Sequence, residues 1–228
     1  MRDNPVFANS QSADSALATN KVLRNTYMML SMTLLVSAIT AGLSMAMNLG
    51  FGAGMVMMIA AIVLIWFVLP RTANTTKGVY VVFAFTALMG AALGPTLNHY
   101  LAMANGGNIV MQALGGTALV FFTLSGYVLT TRKDFSFMGG FLMTGLVVLV
   151  LVALVLMVGG MMGYHVPAAQ LALSAGIVLL MSGFILFDTS RIIHGGETNY
   201  LMATVALYLD IYNLFTSLLH LLGAMGDD

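Results

Sequence analysis

The chain has 228 residues, 60% of them hydrophobic and 7% charged, with no net charge and no cysteine. Soluble domains carry about 25% charged residues, so this composition excludes a water-covered globular domain. The lack of a basic run excludes a nucleic-acid surface, and the lack of cysteine excludes disulfide and thiolate chemistry. What remains is an all-α integral membrane protein.

The first twenty residues, MRDNPVFANSQSADSALATN, are polar and lack the apolar stretch of a signal peptide. Residues 1–26 are expected to form a polar, flexible tail ahead of a membrane domain over 27–228. Seven apolar runs then follow, at 27–47, 51–69, 79–97, 109–130, 137–158, 168–190 and 200–222. The breaks between them carry turn residues: Asn48 and Gly50, Pro70, Pro95 with Asn98, the RKD of 132–134, Gly163 to Pro167, and the HGGE of 194–197.

All eight Lys and Arg residues fall on one side of this arrangement. Arg2, Lys21 and Arg24 precede the first span. Arg71 and Lys77 follow the second, Arg132 and Lys133 the fourth, and Arg191 the sixth. The positive-inside rule puts that side in the cytoplasm. The N-terminus is then inside and the C-terminal Asp227–Asp228 outside.

Several features read first as packing. GAALG, Gly90 to Gly94, is a small-xxx-small motif that admits a second helix backbone; it is a weak signal for a homodimer. Gly115, Gly116, Gly126, Gly139, Gly140 and Gly145 read the same way. Thioethers suit Cu(I), yet Met55, Met57 and Met58, and Met161, Met162 and His165, lack any cysteine and do not align across helices. They are read as adaptable core filler. His99, His165 and His194 share no ligand spacing, so metal catalysis is not expected.

The last run is different. From Leu201 to Leu222 it holds eight Leu with Val205, Ile211 and Phe215, which favour insertion by roughly 3–6 kcal/mol. Asp210 opposes with about 2.5–3.5 kcal/mol on the same scale, and Asn213 and His220 add to that. Such a helix needs shielding neighbours. Ala203, Ala206, Asp210, Asn213, Ser217 and His220, spaced by 3 or 4, form one small and polar stripe. The stripe is expected to face the bundle interior, with Leu201, Tyr208, Leu219 and Leu222 away from it, which makes the last helix a central one. Asp188, in ILFDTS near the cytoplasmic end of the sixth run and three residues before Arg191, is a second acid. It reads equally as a hydrated helix-end carboxylate and as a functional group.

With these residues assembled, the chain resembles the Bax inhibitor-1, or transmembrane Bax inhibitor motif, family from Lys21 to Gly223. GAALGP, ALGGTALVFF and LYLDIYNLFTSLL carry the likeness. KVLRNTY, YVLTTRKDFSF and RIIHGGETNY make it most similar to the bacterial YccA-like branch. The resemblance implies seven helices with the last near the centre and a pH-sensitive calcium leak controlled by an aspartate pair, here Asp188 and Asp210. It also implies an arginine latch, for which Arg71 is the candidate. For this branch it further implies binding and restraint of the membrane protease FtsH, with the N-terminal tail as a handle, in a bacterial inner membrane. No resident cofactor is expected; calcium enters as a transported ion held transiently by Asp188 and Asp210, and Asn213, Ser217 and His220 would support the path.

Two buried carboxyls in contact share a proton and titrate together. Losing that proton adds repulsion between the last two helices, and the freed carboxylates are hard oxygen ligands suited to calcium. One feature resists the pairing: Asp188 lies some six residues nearer the connecting turn than Asp210, about 9 Å in depth. A rival reading, an intramembrane aspartyl protease, needs GxGD at the second acid. The residues here are Tyr208-Leu209-Asp210, without the glycine that opens the helix to substrate, so an enzyme is not expected.

Overall fold

The computed structural model describes the backbone of residues 5–226 and the side chains of residue 17 and residues 19–226. Seven helices long and apolar enough to span a membrane are found among them. They are α1 (Pro5–Ala46), α2 (Phe51–Thr72), α3 (Thr76–Leu101), α4 (Gly106–Thr131), α5 (Gly139–Met161), α6 (Pro167–Ile193) and α7 (Tyr200–Met225). The membrane-length part of α1 is Thr19–Ala46. The segment expected as a flexible tail is helical from Pro5 onward, and its first four residues, like Asp227 and Asp228, lie outside the described residues.

Turn chemistry sets most boundaries. α1 stops just ahead of Asn48, whose φ of 49° is left-handed, with Gly50 following. Gly163, at φ 90°, closes α5, and Pro167 opens α6 in the first turn, where a missing N–H costs nothing. Two prolines behave differently from expectation. Pro70 does not end α2. It lacks the N–H that would bond the Trp66 carbonyl, and the turn ahead of it, Leu64–Val68, widens to π geometry. The Arg71 guanidinium donates to the Phe67 carbonyl at 3.0 Å.

Pro95 does not end α3 either. The carbonyl its ring leaves unbonded, that of Ala91, accepts the Ser44 hydroxyl from α1 at 2.7 Å. A hydroxyl from a neighbouring helix therefore repairs the ladder, and α3 runs on to Leu101.

α7 is surrounded by α1, α3, α4 and α6. Leu201, Leu207, Tyr208, Leu214 and Leu219 are all buried, so both the polar stripe and the face opposite it pack on protein. Leu201, Tyr208 and Leu219, placed away from the stripe, are themselves buried. Lipid and protein interiors are equally apolar, and the pattern alone does not distinguish them. Among the described residues α5 packs on α6 alone. Met143, Val147, Leu151 and Val155 are exposed on its surface, the lipid-facing pattern of a peripheral helix.

Gly90 and Gly94 lie against Ser37, Thr40 and Ser44 of α1. The GAALG motif thus joins two helices of one chain, leaving it unavailable for a homodimer. Gly139 and Gly145 meet Phe187 and Leu180 of α6, and Gly116 meets Leu218, while Gly115, Gly126 and Gly140 face open space.

The linker of residues 194–199 places α7. Gly195 adopts φ 74°, and the N–H groups of Gly196 and Glu197 return to the Arg191 carbonyl at 2.8 and 3.1 Å. Asn199 caps α7 by accepting from the N–H groups of Leu201 (2.9 Å) and Met202 (3.2 Å). Its amide donates to the Ala73 carbonyl at 3.0 Å and the Asn74 side chain at 2.9 Å, anchoring this start to the α2–α3 turn. Asn199→Ala is expected to cost about 1–2 kcal/mol, seen as a lower melting temperature in detergent. An unchanged melt would remove the cap from this account.

Candidate functional site

Asp188 lies on the last turns of α6 and Asp210 midway along α7, 8% and 5% exposed. Their carboxyl groups face one another closely enough to interact. Neither helix is broken to achieve this. Asp188 is five residues from the end of α6 and Asp210 ten from the start of α7, an offset of about 7.5 Å along a helix axis. The linker between them absorbs it by letting α7 begin beyond the end of α6. The second carboxyl oxygen of Asp210, Oδ2, is buried without a hydrogen-bond partner.

Arg191 holds the outer side of the pair. Its Nη1 is 3.7 Å from Asp188 Oδ1, one helical turn back, and its Nη2 is 3.5 Å from Glu197 Oε2 on the linker. The guanidinium also lies over the Phe187 ring, 5.5 Å from its centroid. Arg71 is exposed at the end of α2 and bonds the Phe67 carbonyl, so the arginine on the pair is Arg191 and the Arg71 assignment is corrected. The spacing Asp188–Arg191 is an ordinary helical i,i+3 pair and is readable in the sequence.

Hydroxyl groups on nearby turns tie α6 and α7 to α4 and α1. Thr189 Oγ1 donates to Ser125 Oγ at 3.5 Å, and Tyr27 bonds the same serine. Thr204 on α7 bonds the Tyr200 carbonyl at 2.7 Å and reaches the Thr26 carbonyl at 3.4 Å. The buried Thr26 hydroxyl has no partner among the described residues. Sequence reasoning missed Tyr27, Ser125 and Thr189; single hydroxyl residues within apolar runs give no pattern to find them by.

The supporting stripe is split. Ser217 is buried and Asn213 half-buried. His220 Nδ1 is 2.8 Å from the Ser174 hydroxyl of α6, away from the acids and toward the far end of α7. Two members of the stripe thus reach α6, Asp210 toward Asp188 and His220 at Ser174. A cavity of about 500 Å³ opens beside the opposite face of α7, lined by Leu34, Ala38, Phe121, Tyr208 and Tyr212 among others, and neither acid reaches it.

Among the described residues no three acidic or imidazole side chains converge as a metal site. Calcium takes six to eight oxygen ligands.

A model of the family described as "Inhibitor of apoptosis-promoting Bax1" matches residues 19–227. The chain belongs to this Bax inhibitor family. Its relatives include a membrane protein of Vibrio cholerae, 49% identical over 99% of both chains. The Escherichia coli "Modulator of FtsH protease YccA" is 49% identical over 98% of this chain and 99% of its own. A second Escherichia coli protein, "Inner membrane protein YccA", matches to the same extent. Family membership reaches from the membrane-length part of α1 through the whole bundle, and so includes both acids, Arg191 and the linker between α6 and α7.

Proposed function

We infer that this chain is an inner-membrane protein whose Asp188–Asp210 pair is a proton-controlled gate for calcium or a similar cation, and which also restrains the protease FtsH. One observation supports the gate: two buried carboxyls from consecutive spans face one another inside a helix bundle. An ionised carboxylate only accepts hydrogen bonds, so a carboxyl–carboxyl bond contains one proton. Gain or loss of that proton changes the contact that holds α6 to α7, and like-charge repulsion between two bare carboxylates acts across the same contact. Arg191 sets a positive charge beside Asp188, and Glu197 competes for the same guanidinium. The test is calcium flux into liposomes containing the purified chain, across pH, for wild type and Asp210→Asn.

The FtsH reading rests on a different support, the 49% identity over nearly the full length to a protein named as a modulator of FtsH. In that reading the chain lies in the inner membrane with its N-terminus in the cytoplasm, the side that carries the basic loops. The chain is expected to co-purify with FtsH from membranes, and its overexpression to slow turnover of an FtsH substrate. No association and unchanged turnover would refute this role and leave the gate untouched.

A further inference from the structure

At the basic rim, the loop between α4 and α5 is tied to the end of α6. Arg132 ends α4 in a left-handed conformation, φ 51°, and turns the chain back across α6. The Phe135 N–H donates to the Ser190 hydroxyl at 2.9 Å. Asp134 Oδ1 accepts the Ser136 N–H at 2.8 Å and the Ser136 hydroxyl, and is 3.4 Å from Ser190 Oγ. These Ser136 bonds hold the Asp134 carboxyl below the usual carboxylate range.

His194, the residue after α6, fills the middle. Its Nδ1 is 2.9 Å from the Ser190 carbonyl and its Nε2 is 3.1 Å from the Arg132 carbonyl. Both of its ring nitrogens therefore face backbone acceptors, one at the end of α6 and one at the end of α4, and Nδ1 is also 3.3 Å from the Ser190 hydroxyl. A neutral imidazole has one N–H and an imidazolium has two. The carbonyl ends of both helices also carry the negative pole of the helix dipole.

We propose that His194 is a proton-operated clasp that joins the ends of α4 and α6. As imidazolium it donates to both carbonyls. As the neutral ring it keeps one donor: with Nδ1–H kept, Nε2 presents a lone pair to the Arg132 carbonyl; with Nε2–H kept, Nδ1 accepts the Ser190 hydroxyl at 3.3 Å in place of donating to the Ser190 carbonyl. The charged groups around the ring divide cleanly. Asp134 on the loop faces it. Arg191 on α6 is turned toward Asp188 and Glu197, and Lys133 is drawn over the Tyr127 ring, 5.7 Å from its centroid. Arg132 meets the ring through its carbonyl. The clasp works on the same last turns of α6 that carry Asp188, yet does not require the acid pair to function.

Amide hydrogen exchange of the full chain in lipid nanodiscs, corrected for the intrinsic pH dependence of exchange, reads the clasp at residues 131–137. From the acid to the alkaline side of the imidazole range, about pH 5 to 8, protection there is expected to fall about two- to tenfold, the worth of one hydrogen bond. His194→Gln is expected to abolish the response. Asp210→Asn is expected to keep it. Equal protection at both ends of the range in wild type overturns the proposal, as does a response that survives in His194→Gln. If His194→Gln proves unstable, wild type and Asp210→Asn still decide: a response lost with Asp210 belongs to the acid pair and also overturns the clasp.

Discussion

Gly90→Leu is expected to destabilise the chain by about 3 kcal/mol or more, or to prevent its recovery as a folded protein. Even the first side-chain carbon at position 90 would overlap the Ser37 backbone and the Thr40 hydroxyl of α1. The obstacle is main chain, which cannot rotate away as a flexible side chain would. Ser37 is itself fixed, since its hydroxyl donates to the Thr86 carbonyl at 2.6 Å and bonds Tyr208 on α7. A larger residue at 90 therefore pushes α1 from α3 and disturbs the support of the central helix together. Gly115→Leu is the matched control, because position 115 is exposed with nothing within 4 Å. Thermal unfolding in detergent should separate the two by many degrees. A Gly90→Leu protein that melts with wild type would show that α1 does not seat on α3 as described.

Asp210→Asn is expected to remove the pH dependence of cation flux while leaving the fold close to wild type. Asparagine keeps the size of aspartate and donates a hydrogen bond to Asp188, but it carries no proton that can be lost. It is a permanent imitation of the protonated partner. A one-proton switch changes its two populations by at most about tenfold per pH unit, and that slope should flatten. Asp188→Asn is not equivalent, although it also breaks the coupling. It takes away the charge that Arg191 holds at 3.7 Å and leaves that guanidinium with Glu197 alone. A lower melting temperature is expected for Asp188→Asn than for Asp210→Asn, with the pH response lost in both.

Much of the fold is legible in the sequence because membrane spans are defined by what they lack. Apolar runs of about twenty residues free of Lys and Arg, with every Lys and Arg on one side, leave little freedom in counting helices. Asp210 is legible through its insertion cost. Other features depend on partners distant in the chain. Nothing near Pro95 announces that Ser44 will take up the Ala91 carbonyl, so the proline reads as a stop when it is an interior residue. That the face of α7 carrying Tyr208 is buried as well is not legible, because hydropathy is blind to the difference between acyl chains and neighbouring helices. The offset of about 7.5 Å between the acids reads as an obstacle because a linker's path is not encoded in helical periodicity, whereas Gly195 and the Asn199 cap together set it. Arg71 stands for the latch only through resemblance, while the i,i+3 spacing points to Arg191, the residue that holds Asp188.

The most direct measurement is calcium entry into liposomes that contain the purified chain, followed from acid to alkaline pH for wild type and Asp210→Asn side by side. A rate that changes with pH is expected in wild type and a flat profile in the variant. A variant that matches wild type in both rate and pH profile would contradict the gate, because the proton shared by Asp188 and Asp210 would then have no part in opening the path.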